Sequence, residues 1–174
     1  MAQYPPSIRA AQVVGLTGAA WLAGNIGGYS FITIPSLLKS HTEHSASLPL
    51  IVKQWRDMYE AGKAQNPPIA ILTATAFGYL AWSVHKSIAI GALAPKNAVA
   101  LYSAAAALTV GIVPWTLAVM VPTNKKLIGR AESVWVEDEG SVTEVKGLIG
   151  KWTVLNTLRG VFPLLGAVVG VLAF

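Results

Sequence analysis

Four stretches of this chain stay apolar for about the thickness of a bilayer core, and that length leaves few folds open. They run from about Ala10 to Leu38, Pro68 to Ile90, Ala98 to Val121 and Leu148 to Phe174. A helix needs about 20 apolar residues to cross the hydrocarbon. Within lipid only a structure that satisfies its own backbone hydrogen bonds persists, so each run is read as a helix. Composition agrees, with 53% hydrophobic and 12% charged residues against about 25% charged in soluble domains. The reading is an all-α, single integral-membrane domain over all 174 residues, a four-transmembrane-helix bundle. No cleavable signal peptide is expected, because the N-terminus carries a single Arg9 and the first apolar run is too long and too Gly-rich for a signal core.

Four spans put both termini on one side. The loops after spans one and three carry Lys39, Lys53, Arg56, Lys63, Lys125, Lys126, Arg130, Lys146 and Lys151, and the opposite side carries Arg9, Lys86 and Lys96. The positive-inside rule therefore places those two loops in the cytoplasm. The net charge of +5 is assigned to these membrane flanks facing anionic lipid, and nucleic acid is rejected as a partner. The chain has no cysteine, which removes disulfides, iron–sulfur ligation and thiolate chemistry together.

Residues 48–65 have a different period. Leu48, Ile51, Val52, Trp55, Met58, Tyr59 and Gly62 fall on one helical face, with Lys53, Arg56, Asp57 and Glu60 opposite. This predicts an amphipathic interfacial helix between spans one and two, ended by Pro67-Pro68. It serves either as a lid over the bundle or as a plain membrane anchor. Gly24 and Gly28 in span one, with Gly160, Gly166 and Gly170 in span four, predict close packing of those two spans. A homo-oligomer interface would use the same spacing.

The polar residues converge in depth. Trp21, Asn25 and Tyr29 share a face in span one. Thr75, Tyr79 and Trp82 do so in span two, Thr116, Met120, Thr123 and Asn124 in span three, and Trp152, Asn156, Arg159 and Pro163 in span four. Arg159 constrains function most. An ionisable residue inside an apolar span is costly unless it faces a protein interior with partners, and Asn156 lies three residues earlier on the same face. Each group has a plainer reading: aromatic belt for Tyr79, Trp82 and Trp152, helix glue for Asn25, and a helix stop for Pro122-Thr123-Asn124. His41 and His44, with Glu43 between them, make half a metal site, but no second His or Cys pair completes a shell, so no metal ligands are assigned.

The runs GNIGGYSFITIPSLL, QWRDMYEAG followed by PP, VPWTLAVMVPTNKKL and KWTVLNTLRGVFPLLG resemble the small membrane anthrone oxygenases of fungal polyketide pathways, the DUF1772 family. The resemblance covers nearly the whole chain. It implies an oxygenase that converts an anthrone to an anthraquinone with molecular oxygen as co-substrate and no organic cofactor. It implies a hydrophobic aromatic small molecule and the lipid bilayer as partners, and an endoplasmic reticulum membrane as location. By matching motif it carries over Asn25 and Tyr29, Trp55 and Tyr59, Thr123 and Asn124, and Asn156 and Arg159.

These residues permit a mechanism. Loss of a proton from the anthrone CH₂ gives an electron-rich oxyanion that reduces oxygen, forms a hydroperoxide and loses water. Arg159, Asn156, Asn124 and Tyr29 are the expected catalytic groups, with Arg159 holding the oxyanion. Trp55, Tyr59, Trp21, Asn25 and Thr123 are the expected substrate-binding groups. Asp57, Glu60, His41 or a polarised water are the bases weighed. Two other readings stay open: a non-catalytic carrier or scaffold for hydrophobic polyketide intermediates, and a metal-dependent oxidase using His41 and His44.

Overall fold

In the computed structural model, which describes residues 4–173, the chain is all-helical. Helix α1 (Pro6–Gly28) passes through a π-helical turn, Tyr29–Thr33, into α2 (Ile34–His44). Helix α3 (Leu48–Lys86) is followed by the single turn α4 (Ile88–Gly91). Helices α5 (Ala98–Val110) and α6 (Ile112–Trp115), a second π turn at Thr116–Met120, and α7 (Val121–Glu132) form one continuous rod. Helix α8 (Glu139–Val171) completes the chain. Three helices among the described residues are long and apolar enough to cross a membrane: Leu48–Lys86, Ala98–Glu132 and Glu139–Val171. The first apolar run is helical but is not among them; Gln12, Thr17, Asn25 and its glycines dilute its hydropathy.

The elements extend further than the apolar runs. Helix α3 does not stop at Pro67-Pro68 but continues through them for 39 residues in all, about twice what a bilayer core demands. Proline removes a donor and crowds the carbonyl four residues back, yet the surrounding packing keeps the helix intact. Pro122-Thr123-Asn124 is likewise no helix stop, since α7 runs on to Glu132 and leaves only Ser133–Asp138 as the loop before α8.

The loop ends are fastened by specific caps. Helix α2 closes with Ser45 in the left-handed region (φ 55°), and Ala46 N donates to Ser40 O, a Schellman-type closure. The Glu137 carboxylate accepts from Leu48 N at 2.5 Å, placing an anion at the positive end of α3. Asp138 caps α8: its Oδ1 accepts from Ser141 N at 2.7 Å, and its own N–H donates to Ser141 Oγ at 3.1 Å. This is the reciprocal pattern of a capping box.

The chain forms two compact units. Among the described residues, the first comprises 4–24, 66–114 and 160–173. Its core holds Ile8, Ala19, Phe77, Leu80, Ala98, Tyr102 and Ala105, with Gln12 Nε2 donating to Tyr102 OH at 3.2 Å inside it. Gly18 and Gly170 are needed there for close approach. A Cβ at Gly18 would collide with Thr73 Oγ1, and one at Gly170 with the Phe77 ring. Gly24 was expected to be a packing glycine, but a Cβ there meets nothing, and the same holds for Gly28 in the second unit.

The second unit comprises residues 25–65 and 115–159. Its core joins Ile34 of α2, Leu48, Ile51, Val52 and Trp55 of α3, Met120, Leu127 and Ala131, and Val145, Ile149 and Trp152 of α8. The predicted amphipathic face is the one buried. It is covered by protein from α7 and α8 rather than by lipid, so 48–65 is the first half of α3 and not a separate interfacial helix. Arg56–Glu132 at 3.2 Å and an Arg130–Glu144 pair tie the polar faces together.

Candidate functional site

The second unit contains a directed hydrogen-bond chain that begins at Arg159. Its Nη2 donates to Asn156 Oδ1 at 2.6 Å, and its Nη1 donates to Thr116 Oγ1 at 3.3 Å. Asn156 is fully buried and passes the order on, its Nδ2 donating to Ser30 Oγ at 2.8 Å and to Ile26 O at 2.9 Å. The Ser30 hydroxyl donates to Thr153 O at 3.4 Å. A guanidinium can only donate, so the Asn156 carbonyl must face it and the amide must face α1; the orientation is set by chemistry. The two partners of the Arg159 Nη atoms are neutral, and its Nε is enclosed with no acceptor in the protein. Tyr29 and Tyr59 lie within electrostatic reach of its charge. A half-buried cation held by neutral acceptors is suited to an anionic or strongly dipolar guest.

Two widened turns supply the acceptors. Ser30 lies in the π turn Tyr29–Thr33 and Thr116 opens the π turn Thr116–Met120. In each, the closing donor is the backbone N–H of an aliphatic residue, Ile34 N to Tyr29 O and Val121 N to Thr116 O, and the next residue is proline, Pro35 or Pro122. Each proline has no N–H for the carbonyl four residues back and its ring crowds that carbonyl, so the preceding turn opens. Such π turns are frequent at functional sites because they re-aim side chains. Pro163 and Pro67-Pro68 sit in α-helix without this widening, so proline alone does not dictate it.

Eight of the nine expected site residues fall in the second unit, and Trp21 falls in the first, its side chain 42% exposed. Arg159 and Asn156 are bonded to each other. The Asn156 amide donates to Ile26 O and Ser30 Oγ while its carbonyl accepts from the guanidinium, so Asn156 ties Arg159 to α1 and the turn that follows it. Trp55 is buried. One of its faces is stacked on Tyr59, with centroids 5.3 Å apart and planes at 11°, and it meets Trp152 edge-on at 5.6 Å. Tyr29 packs half-buried against the same core. Thr123 and Asn124 are buried on α7, and Asn25 is half-buried just before Ile26.

Ser30, Thr116 and the Ile26 carbonyl were not expected in the site. Ser30 lies 126 residues from Asn156 in sequence, and only the Ile-Pro and Val-Pro pairs hint that the helices open there. Of the weighed bases, His41 Nδ1 lies 2.9 Å from Ala46 O, Glu60 pairs with Lys63 at 3.2 Å, and Asp57 is exposed. His44 is exposed, and among the described residues no three His, Cys, Asp or Glu side chains cluster.

Residues 55–169 match the anthrone oxygenase family. The anthrone oxygenase encC of Aspergillus fumigatus is 33% identical, over 93% of this chain and 91% of its own length. The noranthrone monooxygenase of Aspergillus flavus is 35% identical, over 92% of this chain and 70% of its own. An anthrone oxygenase of Claviceps purpurea is 30% identical, over 91% and 84% respectively. No solved structure matches.

Proposed function

Because the chain belongs to the anthrone oxygenase family, we propose that it oxidises a polyketide-derived anthrone to the anthraquinone with molecular oxygen, in a membrane and without an organic cofactor. The observation that carries this reading is the half-buried Arg159 guanidinium, fixed by Asn156 and Thr116 and presenting an enclosed Nε with no acceptor in the protein. The anthrone carbonyl oxygen docks against it. As the CH₂ opposite loses its proton, negative charge moves onto that oxygen, where a preorganised donor is worth about 3–4 kcal/mol. Stabilising the anion makes the carbon acid strong enough for water to accept the proton. The anion gives one electron to O₂, the radical pair joins at the former CH₂ to form a hydroperoxide, and loss of water leaves the quinone. Anthrone and O₂ thus become anthraquinone and water.

The membrane reading counts α1 as a fourth span beside the three longer apolar helices, with Lys39, Arg56, Lys125, Lys126 and their neighbours toward the cytoplasm and the endoplasmic reticulum as the location. Aliphatic surface such as Val13, Ile71, Leu72 and Val168, each half-exposed or more, then faces lipid, in which oxygen concentrates. The test is purified protein in detergent, given an anthrone under ¹⁸O₂. The expected result is quinone formed above the spontaneous rate with one labelled oxygen. Binding without turnover would favour a carrier instead.

A further inference from the structure

Two consecutive residues reach two points on α8 that lie one helical turn apart. Trp115 Nε1 donates to Leu155 O at 3.2 Å, and Thr116 Oγ1 accepts from Arg159 Nη1 at 3.3 Å. All four residues belong to the second unit. Leu155 and Arg159 are four apart within α8, and in an α-helix the carbonyl of one such residue accepts from the backbone N–H of the other. The indole therefore bonds the peptide group that closes the turn carrying Arg159. That carbonyl already has a helical donor, so α8 gains no missing partner from Trp115. What the bond does is set where the neighbouring helix sits. Trp115 is the last residue of α6, and the π turn opens at the next residue, Thr116. Trp115 is half-buried and packs against the core of this unit, which holds its ring in place. The Arg159 side chain is long and rich in rotamers. A single neutral oxygen at its tip fixes it only if that oxygen is itself fixed.

We infer that Trp115 is a positioning residue for the oxidation. Its indole N–H seats the π turn on α8, so that Thr116 holds the Arg159 guanidinium in one place and leaves Nε to the substrate oxygen. The inference rests on the anthrone reading above and deepens it, and Trp115 acts through Thr116 rather than on the anthrone. Without the indole donor the turn is free to slide along α8. The guanidinium then meets the developing negative charge out of line, and misplacements of about 1 Å can cost about 10²-fold in rate. Neither the residue type nor its place in the sequence announces this role, because the contact joins residues 40 apart.

A double-mutant cycle tests it. For full-length protein in detergent, kcat and KM for an anthrone are measured at saturating oxygen in wild type, Trp115→Phe, Thr116→Val and the double variant. Each single change should lower kcat by about tenfold with KM altered less than about threefold. The double variant should fall no more than about threefold below the weaker single one, because both changes break the same clamp. A tryptophan that only fills space acts independently of Thr116, and the two losses would then multiply to about a hundredfold. That product, or a Trp115→Phe kcat equal to wild type, would overturn the inference. Should Trp115→Phe fold poorly, benzothienylalanine placed at position 115 keeps the fused ring and exchanges only the N–H for sulfur. It should lose about tenfold in kcat at an unchanged melting temperature, and wild-type turnover by that protein would overturn the inference as well. A wild type that does not oxidise an anthrone at all would instead sink the family-based reading, and the role of Trp115 with it.

Discussion

Arg159 is bought into an apolar helix by neighbours that keep its charge available rather than cancelling it. Asn156 turns its carbonyl to the guanidinium at 2.6 Å and anchors itself on Ile26 and Ser30. Asn156→Leu should therefore separate stability from chemistry. An interhelical hydrogen bond within a membrane averages about 0.6 kcal/mol and reaches about 1–2 kcal/mol, so the variant should still insert and fold. With its cation unfixed, kcat should fall by about 10²–10³-fold, with a smaller change in KM. Turnover within threefold of wild type would contradict the positioning role. The pairing of Arg159 with Asn156 is legible in the sequence, because residues three apart share a helical face. The roles inside the pair are not, since Ser30 and Ile26 reach Asn156 from the far end of the chain and no local pattern records that contact.

Helix periodicity identified the buried face of 48–65 correctly, because Leu48, Ile51, Val52 and Trp55 are buried while Lys53 and Asp57 are exposed. It did not tell what covers that face, since lipid and a neighbouring helix demand the same apolar stripe. The breaks were misread for a related reason. Proline propensity describes an isolated helix, and the packing around Pro67-Pro68 and Pro122 outweighs it. At Pro35 and Pro122 the cost appears instead as a widened turn. Pro122→Ala restores the N–H, and the α register should return with Thr116 re-aimed. The expected outcome is a loss of about 10- to 100-fold in kcat/KM, as for other small misplacements, with no loss of thermal stability. Loss of both together would make the π turn a structural feature only. The α8 cap carries a pH signature. Hydrogen bonds from the Ser141 N–H and then its side chain hold the Asp138 carboxyl below the usual carboxylate range. A depressed acid stabilises the fold above its unfolded value, and that stabilisation is lost as pH falls through the lowered one. The melting-temperature advantage of wild type over Asp138→Asn should thus shrink on acidification from neutral pH. An advantage that stays constant or grows would refute the assignment.

The two units divide labour along one chain. The first is built from small residues at close contacts, with Gly18 against Thr73 and Gly170 against Phe77, and its exposed surface is largely aliphatic. The second gathers the basic loops, the caps, both π turns and eight of the nine sequence-chosen site residues. The faces grouped by depth divide between the units: Asn25, Tyr29, Thr116, Met120, Thr123, Asn124, Trp152, Asn156 and Arg159 lie in the second, while Trp21, Thr75, Tyr79, Trp82 and Pro163 lie in the first. The account stands or falls on a cation that stabilises charge developing on substrate oxygen. The direct measurement is the rate of anthrone oxidation by membrane-inserted, correctly folded Arg159→Ala beside wild type, at saturating substrate and oxygen. A fall of about 10²-fold or more in kcat is predicted. A kcat within a few-fold of wild type would contradict it.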